Sequence, residues 1–244
     1  MKTKSKALLL TLCAALLVAA SVLGTMAYLT DTDTVTNTFT VGKVDIKLDE
    51  AKVGTDGTPV AGEARVKENS YKLLPGHTYT KDPTVTVKEG SESAYIRLKV
   101  TFNNATDIIA LCTDPEYAEE GPTGVENAYP LIRMVNFVEA NAAKWDGIIP
   151  DNMVDTEDML ADGKYFAYDE TSDTLTYYFY YNETVAAPTT DVKLATLFDS
   201  ITVPDWVTGD QLAKLADFKI TVVAEAIQAD GFENADAAWA EFSA

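Results

Sequence analysis

This chain of 244 residues is short of cysteine, histidine and positive charge. Cys13 falls inside an apolar N-terminal run, which leaves Cys112 alone in the remainder, so no intrachain disulfide is expected there. The apolar setting of Cys112, D-I-I-A-L-C, predicts an inert core thiol rather than a redox or intermolecular one. His77 is the sole histidine and sits in the turn L-P-G-H-T. A zinc hydrolase takes two or three ligands from His and carboxylates, often through H-E-x-x-H, and that motif is absent. A Ser-His-Asp or Cys-His device would also depend on His77, and there is no G-x-S-x-G elbow, Walker loop or dinucleotide fingerprint. No catalytic residue and no cofactor is therefore expected, and His77 is read as an exposed turn residue. Against 38 acidic residues stand only 19 lysines and arginines, a net charge of −19. Such a surface repels nucleic acid and anionic lipid, and suits a protein that stays soluble or assembles when the repulsion is screened.

The positive charge that exists is concentrated at the start. Lys2, Lys4 and Lys6 precede an apolar run from Ala7 to Leu23, and Thr25 and Ala27 bracket Met26. This is the pattern of a secretory signal peptide cleaved between Ala27 and Tyr28. The run of 17 residues also approaches spanning length, so an uncleaved anchor is the alternative and would be the only membrane contact. Lipidation at Cys13 is not expected, because the apolar run continues well past it. No LPxTG-type motif occurs, so covalent wall attachment is not expected either. Removing the three lysines would leave residues 28–244, one large β-rich domain, at −22.

The segment after Tyr28 reads as a strand. Val35, Phe39 and Val41 share one parity and Val44, Ile46 and Leu48 the other, so Gly42 marks a bulge or a crossing between sheets. These residues also carry a likeness. The sequence GTMAYLTDTDTVTNTFTVGKVDIKL resembles the export signal and first strand of the TasA/camelysin family, secreted proteins of Gram-positive bacteria processed by a signal peptidase of the SipW type. Further matches are L-x-P-G at Leu73 to Gly76, T-K-D at Thr80 to Asp82, S-A-Y-I-R-L at Ser93 to Leu98, and FKITVVAEAIQADGF from Phe218 to Phe232. The stretch from about Asn103 to Ala167 carries no match. The resemblance implies a jelly-roll-type sandwich and a subunit of extracellular matrix or biofilm fibres. Because parts of the camelysin branch have been described as metallopeptidases, it also raises an enzymatic alternative, which the scarcity of histidine opposes.

Residue patterns lead to the same class. Residues 50–69 read as an exposed hairpin or loop, and Pro75 and Gly76 suit the middle of a type II turn whose leucines dock on the core. Ala94 to Phe102 alternates apolar and polar residues and predicts a central strand with one wet face. Leu131 to Ala143 satisfies either period, and Met153 to Leu160 reads as a helix after an Asp151 cap. Lys164 to Tyr168 and Thr174 to Tyr181 predict a hairpin. The second arm is aromatic on both faces, with Tyr177, Phe179 and Tyr181 expected inward. Val192 to Val203 predicts one or two strands, Phe218 to Ala229 a long last one, and Asn234 the cap of a terminal helix. Trp145, Trp206 and Trp239 are expected at domain edges. The sum is a mainly β protein, an antiparallel β-sandwich with short helical insertions and a C-terminal helix.

Two acidic clusters are weak calcium candidates, Asp31 with Asp33 and Asp155 with Asp158; neither follows the EF-hand pattern, and each is weighed against a solvated loop. The leading expectation is a secreted structural protein that polymerises by β-strand addition. The segment Tyr28 to Val41, freed by cleavage and hinged at Gly42, would enter the next subunit through Val35, Phe39 and Val41. Its partners would be the signal peptidase, further copies of itself and accessory matrix proteins. The alternative is a monomeric surface module binding a glycan or protein through outward Tyr178 and Tyr180.

Overall fold

The computed structural model describes residues 6, 10–18, 42–113, 125–150 and 156–242. The chain divides into two compact units, Met1–Val41 and Gly42–Ala244. In the first, residues 10–18 are helical. No helix among the described residues is long and apolar enough to cross a membrane. Ala27, Tyr28, Asp31, Asp33, Val35, Phe39, Val41, Asp151 and Asp155 lie outside the described residues.

The second unit is mainly β, with antiparallel sheets and no closed barrel. Its strands are β1 (Ile46–Asp49), β2 (Thr78–Thr80), β3 (Thr84–Val87), β4 (Ala94–Asn103), β5 (Val135–Phe137), β6 (Trp145–Asp146), β7 (Phe166–Asp169), β8 (Thr174–Tyr181), β9 (Val192–Lys193), β10 (Phe198–Thr202) and β11 (Ile220–Gln228). They form three sheets, β1-β3-β9, β2-β10-β5 and β11-β4-β8-β6, with β7 also pairing with β8. The helices are α1 (Ala105–Cys112), α2 (Tyr129–Met134), α3 (Glu139–Ala142), α4 (Thr156–Ala161), α5 (Gly209–Lys214) and α6 (Ala235–Phe242).

β4 organises the unit. Its alternation places Ala94, Ile96, Leu98, Val100 and Phe102 on one face, each at most 1% exposed. β11 pairs along the whole of that strand, from Ile220 opposite Phe102 to Gln228 opposite Ala94. On the other side β8 pairs from Arg97 opposite Tyr180 to Asn103 opposite Thr174. Tyr177 and Phe179 on β8 are fully buried and join the same core, together with Val85 and Val87 from β3 and Tyr79 and Ile201 from β2 and β10. One continuous core therefore touches all three sheets. Cys112 is buried in it, and burial pushes its thiol well above the usual range.

The ambiguous segment from Leu131 is both helix and strand. Pro130, near the start of α2, lacks an N–H that the first turn would leave unpaired anyway. From Val135 the backbone leaves the helix to pair with Ile201 on β10. The L-P-G turn forms as read, with Gly76 at φ 69° and the His77 N–H donating to the Leu74 carbonyl at 3.2 Å, but only Leu73 packs on the core. Leu74 is 47% exposed. Trp145 is not at an edge: it is 2% exposed, its Nε1 donates to the Ala195 carbonyl at 3.1 Å, and its ring meets Tyr181 at 5.0 Å. Asn234 caps α6, with Oδ1 accepting from the Ala237 N–H at 2.9 Å.

Phe102 touches the rings of both Tyr177 and Phe218, at 5.7 and 6.2 Å. Truncation there leaves a cavity that close-packed neighbours cannot refill. Phe102→Ala is expected to cost about 4 kcal/mol in urea denaturation.

Candidate strand-acceptor groove

Two strands end their sheets facing one another. Among the described residues β1 pairs only with β3, and β11 pairs only with β4. The two approach each other and flank a groove of about 910 Å³. Each has one edge without a strand partner among the described residues, which is the feature that admits an added strand.

The floor of the groove comes from β11. Phe218, Ile220, Val222 and Ala224 share the face toward the core and line it, as the sequence pattern predicted. Leu48 of β1, Leu73, and Leu212 and Leu215 at the end of α5 complete the apolar part. α5 itself is held by a capping box, in which Thr208 Oγ1 accepts from the Gln211 N–H and the Gln211 side chain accepts from the Thr208 N–H.

The other end is charged and fully partnered. Arg65 reaches back from the 50–69 hairpin to bind Asp49 Oδ1 through Nε at 2.6 Å and Asp82 Oδ2 through Nη1 at 2.7 Å. Its Nη2 donates to the carbonyls of Asp49 and Asp82 and to Thr84 Oγ1. Beside it Lys81 pairs with Glu50 at 2.8 Å, and Asn69 bridges Glu50 Oε1 and the Ala51 carbonyl. The sequence left this segment open between an exposed hairpin and a loop, and it is a hairpin. Glu50 and Val66 exchange backbone hydrogen bonds, Val53 is 4% exposed, and Gly57 lies so close to β2 that a Cβ there would stand 2.6 Å from the Tyr79 Cα. Burial alone would raise the Asp49 pKa. Hydrogen bonds from Lys47 and Arg65 outweigh it and hold the carboxylate below its ordinary range.

The remaining sequence candidates fall away from the groove. His77 is half-buried rather than exposed: Nε2 donates to the Asp56 carbonyl at 2.8 Å, and the ring meets Tyr79 at 4.7 Å. Asp158 stands exposed on α4. No group of three or more His, Cys, Asp or Glu able to hold a metal occurs among the described residues. Gly42 opens the second unit, and a Cβ there would meet only the movable end of the Glu92 side chain. Tyr178 and Tyr180 do not form an outward ladder, because α6 covers part of their face: Trp239 meets the Tyr180 ring at 5.9 Å.

No protein-family model, curated protein or solved structure matches this chain. The groove must be judged on its own geometry. The two-residue period gave the shared apolar face of β11 but not the groove. It missed the Arg65 clamp, because Arg65 and Asp82 are 17 residues apart and no local pattern links them.

Removing Arg65 takes the shared cation from Asp49 and Asp82, which among the described residues keep only Lys47 and the Ala51 N–H. Arg65→Ala is expected to cost about 3 kcal/mol by urea denaturation. The folded-state pKa of Asp49 lies below its unfolded value, so its stabilisation is complete above about pH 4 and is lost as pH falls through the folded value. Asp49→Asn is therefore expected to lower stability at neutral pH and to flatten the acid limb of the stability curve below about pH 4. An acid limb parallel to that of the parent would refute this role.

Proposed function

We propose that this chain is a secreted structural protein of the TasA/camelysin type, a subunit of extracellular matrix fibres that polymerises by strand addition. The observation that carries the reading is the groove between β1 and β11, apolar along its floor and edged by two strands with one partner each among the described residues. A third strand laid there would gain main-chain hydrogen bonds from an edge and bury alternate side chains below it. In this reading the three sheets are the parts of a jelly-roll-like sandwich, and the groove is where its wall is incomplete.

The donor is the segment Tyr28 to Val41 of a neighbouring copy. In this reading Val35, Phe39 and Val41 of the donor fill the apolar floor, to which Ala224 of β11 contributes a small side chain. The division of the chain between Val41 and Gly42 supports a donor that belongs to a different unit from the acceptor. Cleavage after Ala27 by a SipW-type peptidase acts as the switch, since a tethered strand cannot enter another subunit. The net charge of −22 left after cleavage opposes association until salt or acid screens it, which sets when fibres form. Accessory matrix proteins that offer a similar free strand would enter the same groove.

Electron microscopy of protein beginning at Tyr28, at neutral and acidic pH, tests this directly. Fibres are expected from that protein, and folded monomers from the chain lacking residues 28–41. Ala224→Phe, which fills the groove at a cost of about 1–2 kcal/mol, is expected to stop polymerisation while leaving the fold intact. Fibres from the truncated protein would rule the mechanism out.

A further inference from the structure

The polar face of β4 was expected to be wet, yet Arg97 on that face is only 7% exposed. α6 roofs it. The guanidinium lies 4.4 Å from the Trp239 ring centroid and 5.1 Å from Phe242 above, and 5.2 Å from Tyr178 below. Its Nε donates to Glu225 Oε2 at 2.5 Å, across the β4–β11 register. No buried side-chain nitrogen or oxygen among these residues lacks a partner. The guanidinium lines a recess of about 410 Å³ between α6 and the sheet.

The recess gathers what a carboxylate needs in a protein that otherwise repels anions. Arg97 offers the paired donors of a fork, and Lys164 a second cation on the same wall. Lys164 is held by Asp146 and Asp236, each at 3.3 Å, and Asp236 is 78% exposed. The two cations meet three carboxylates, Glu225, Asp146 and Asp236, and of these Asp236 is the most exposed and the one that a ligand carboxylate can replace. The half-buried rings of Tyr178 and Tyr180 line the same recess and offer apolar surface with polar edges. Its volume lies within the range of small-molecule sites.

We propose that this recess binds a carboxylate borne on a sugar ring, a uronic-acid saccharide. The carboxylate bridges the Arg97 Nη groups and Lys164, and the ring lies along Tyr178. The site is separate from the β1–β11 groove and does not depend on the fibre reading.

The test is calorimetric titration of the full chain, held in a sugar-free detergent, with galacturonate, galactose and acetate. Galacturonate is expected to bind at least about tenfold more tightly than either the neutral sugar or the ringless acid. Lys164→Gln should weaken it about tenfold, and Asp236→Asn should strengthen it, since only the competing charge is removed. Arg97→Lys, which keeps a charge for Glu225 but loses the fork, should also weaken it. The proposal is overturned if galactose or acetate binds as well as galacturonate. It is equally overturned if Lys164→Gln changes nothing, or if galacturonate gives no binding to about 50 mM.

Discussion

The backbone pairing of β4 on both its edges is the constraint on which the rest of this unit depends. With β11 on one side and β8 on the other, the strand cannot slip by one residue without turning Ile96, Leu98 and Phe102 to the polar face. The register is thus set by burial rather than by any single contact. Once it is set, Glu225 stands opposite Arg97 and Tyr180 flanks it on β8, so the polar face acquires its own arrangement as a consequence. Helix α6 then covers that arrangement through Trp239, which explains why an arginine in an alternating strand is buried.

The same pairing leaves the outer edge of β11 beside the edge of β1. Long edge strands invite association, and proteins that avoid it blunt them with charge, proline or covering loops. Here the charge is gathered at one end, in the Asp49–Arg65–Asp82 and Glu50–Lys81 pairs, and those side chains are spent on each other. The middle of the groove is apolar. It is on this edge that the proposed strand addition rests.

Much of the strand content was legible because its signal is local. The period of two in Ala94 to Phe102 and in Phe218 to Ala229, and the hairpin ending at Tyr181, each need only a window of ten residues or so to be read. The Asn234 cap was legible for the same reason. Leu131 to Ala143 was not, because its apolar residues fit both periods, and the choice fell to Pro130 and to the pairing of Val135 with Ile201. Trp145 was misplaced at an edge because its burial depends on Ala195 and Tyr181, far away in the chain.

By itself, then, the sequence determined the antiparallel β character of this protein, the central place of β4, the apolar face of β11 and the inert setting of Cys112, since each follows from side-chain alternation or composition within one segment. Only the tertiary structure decided that β1 and β11 flank a groove, that Arg65 clamps the 50–69 hairpin, and that α6 packs Arg97 against Tyr178. The Arg65 and Arg97 contacts join residues from 16 to 145 positions apart, and β1 and β11 lie further apart still. Which of many acids an arginine meets, or which face a helix covers, is selected by the packing of the whole core and leaves no mark in any short window of sequence.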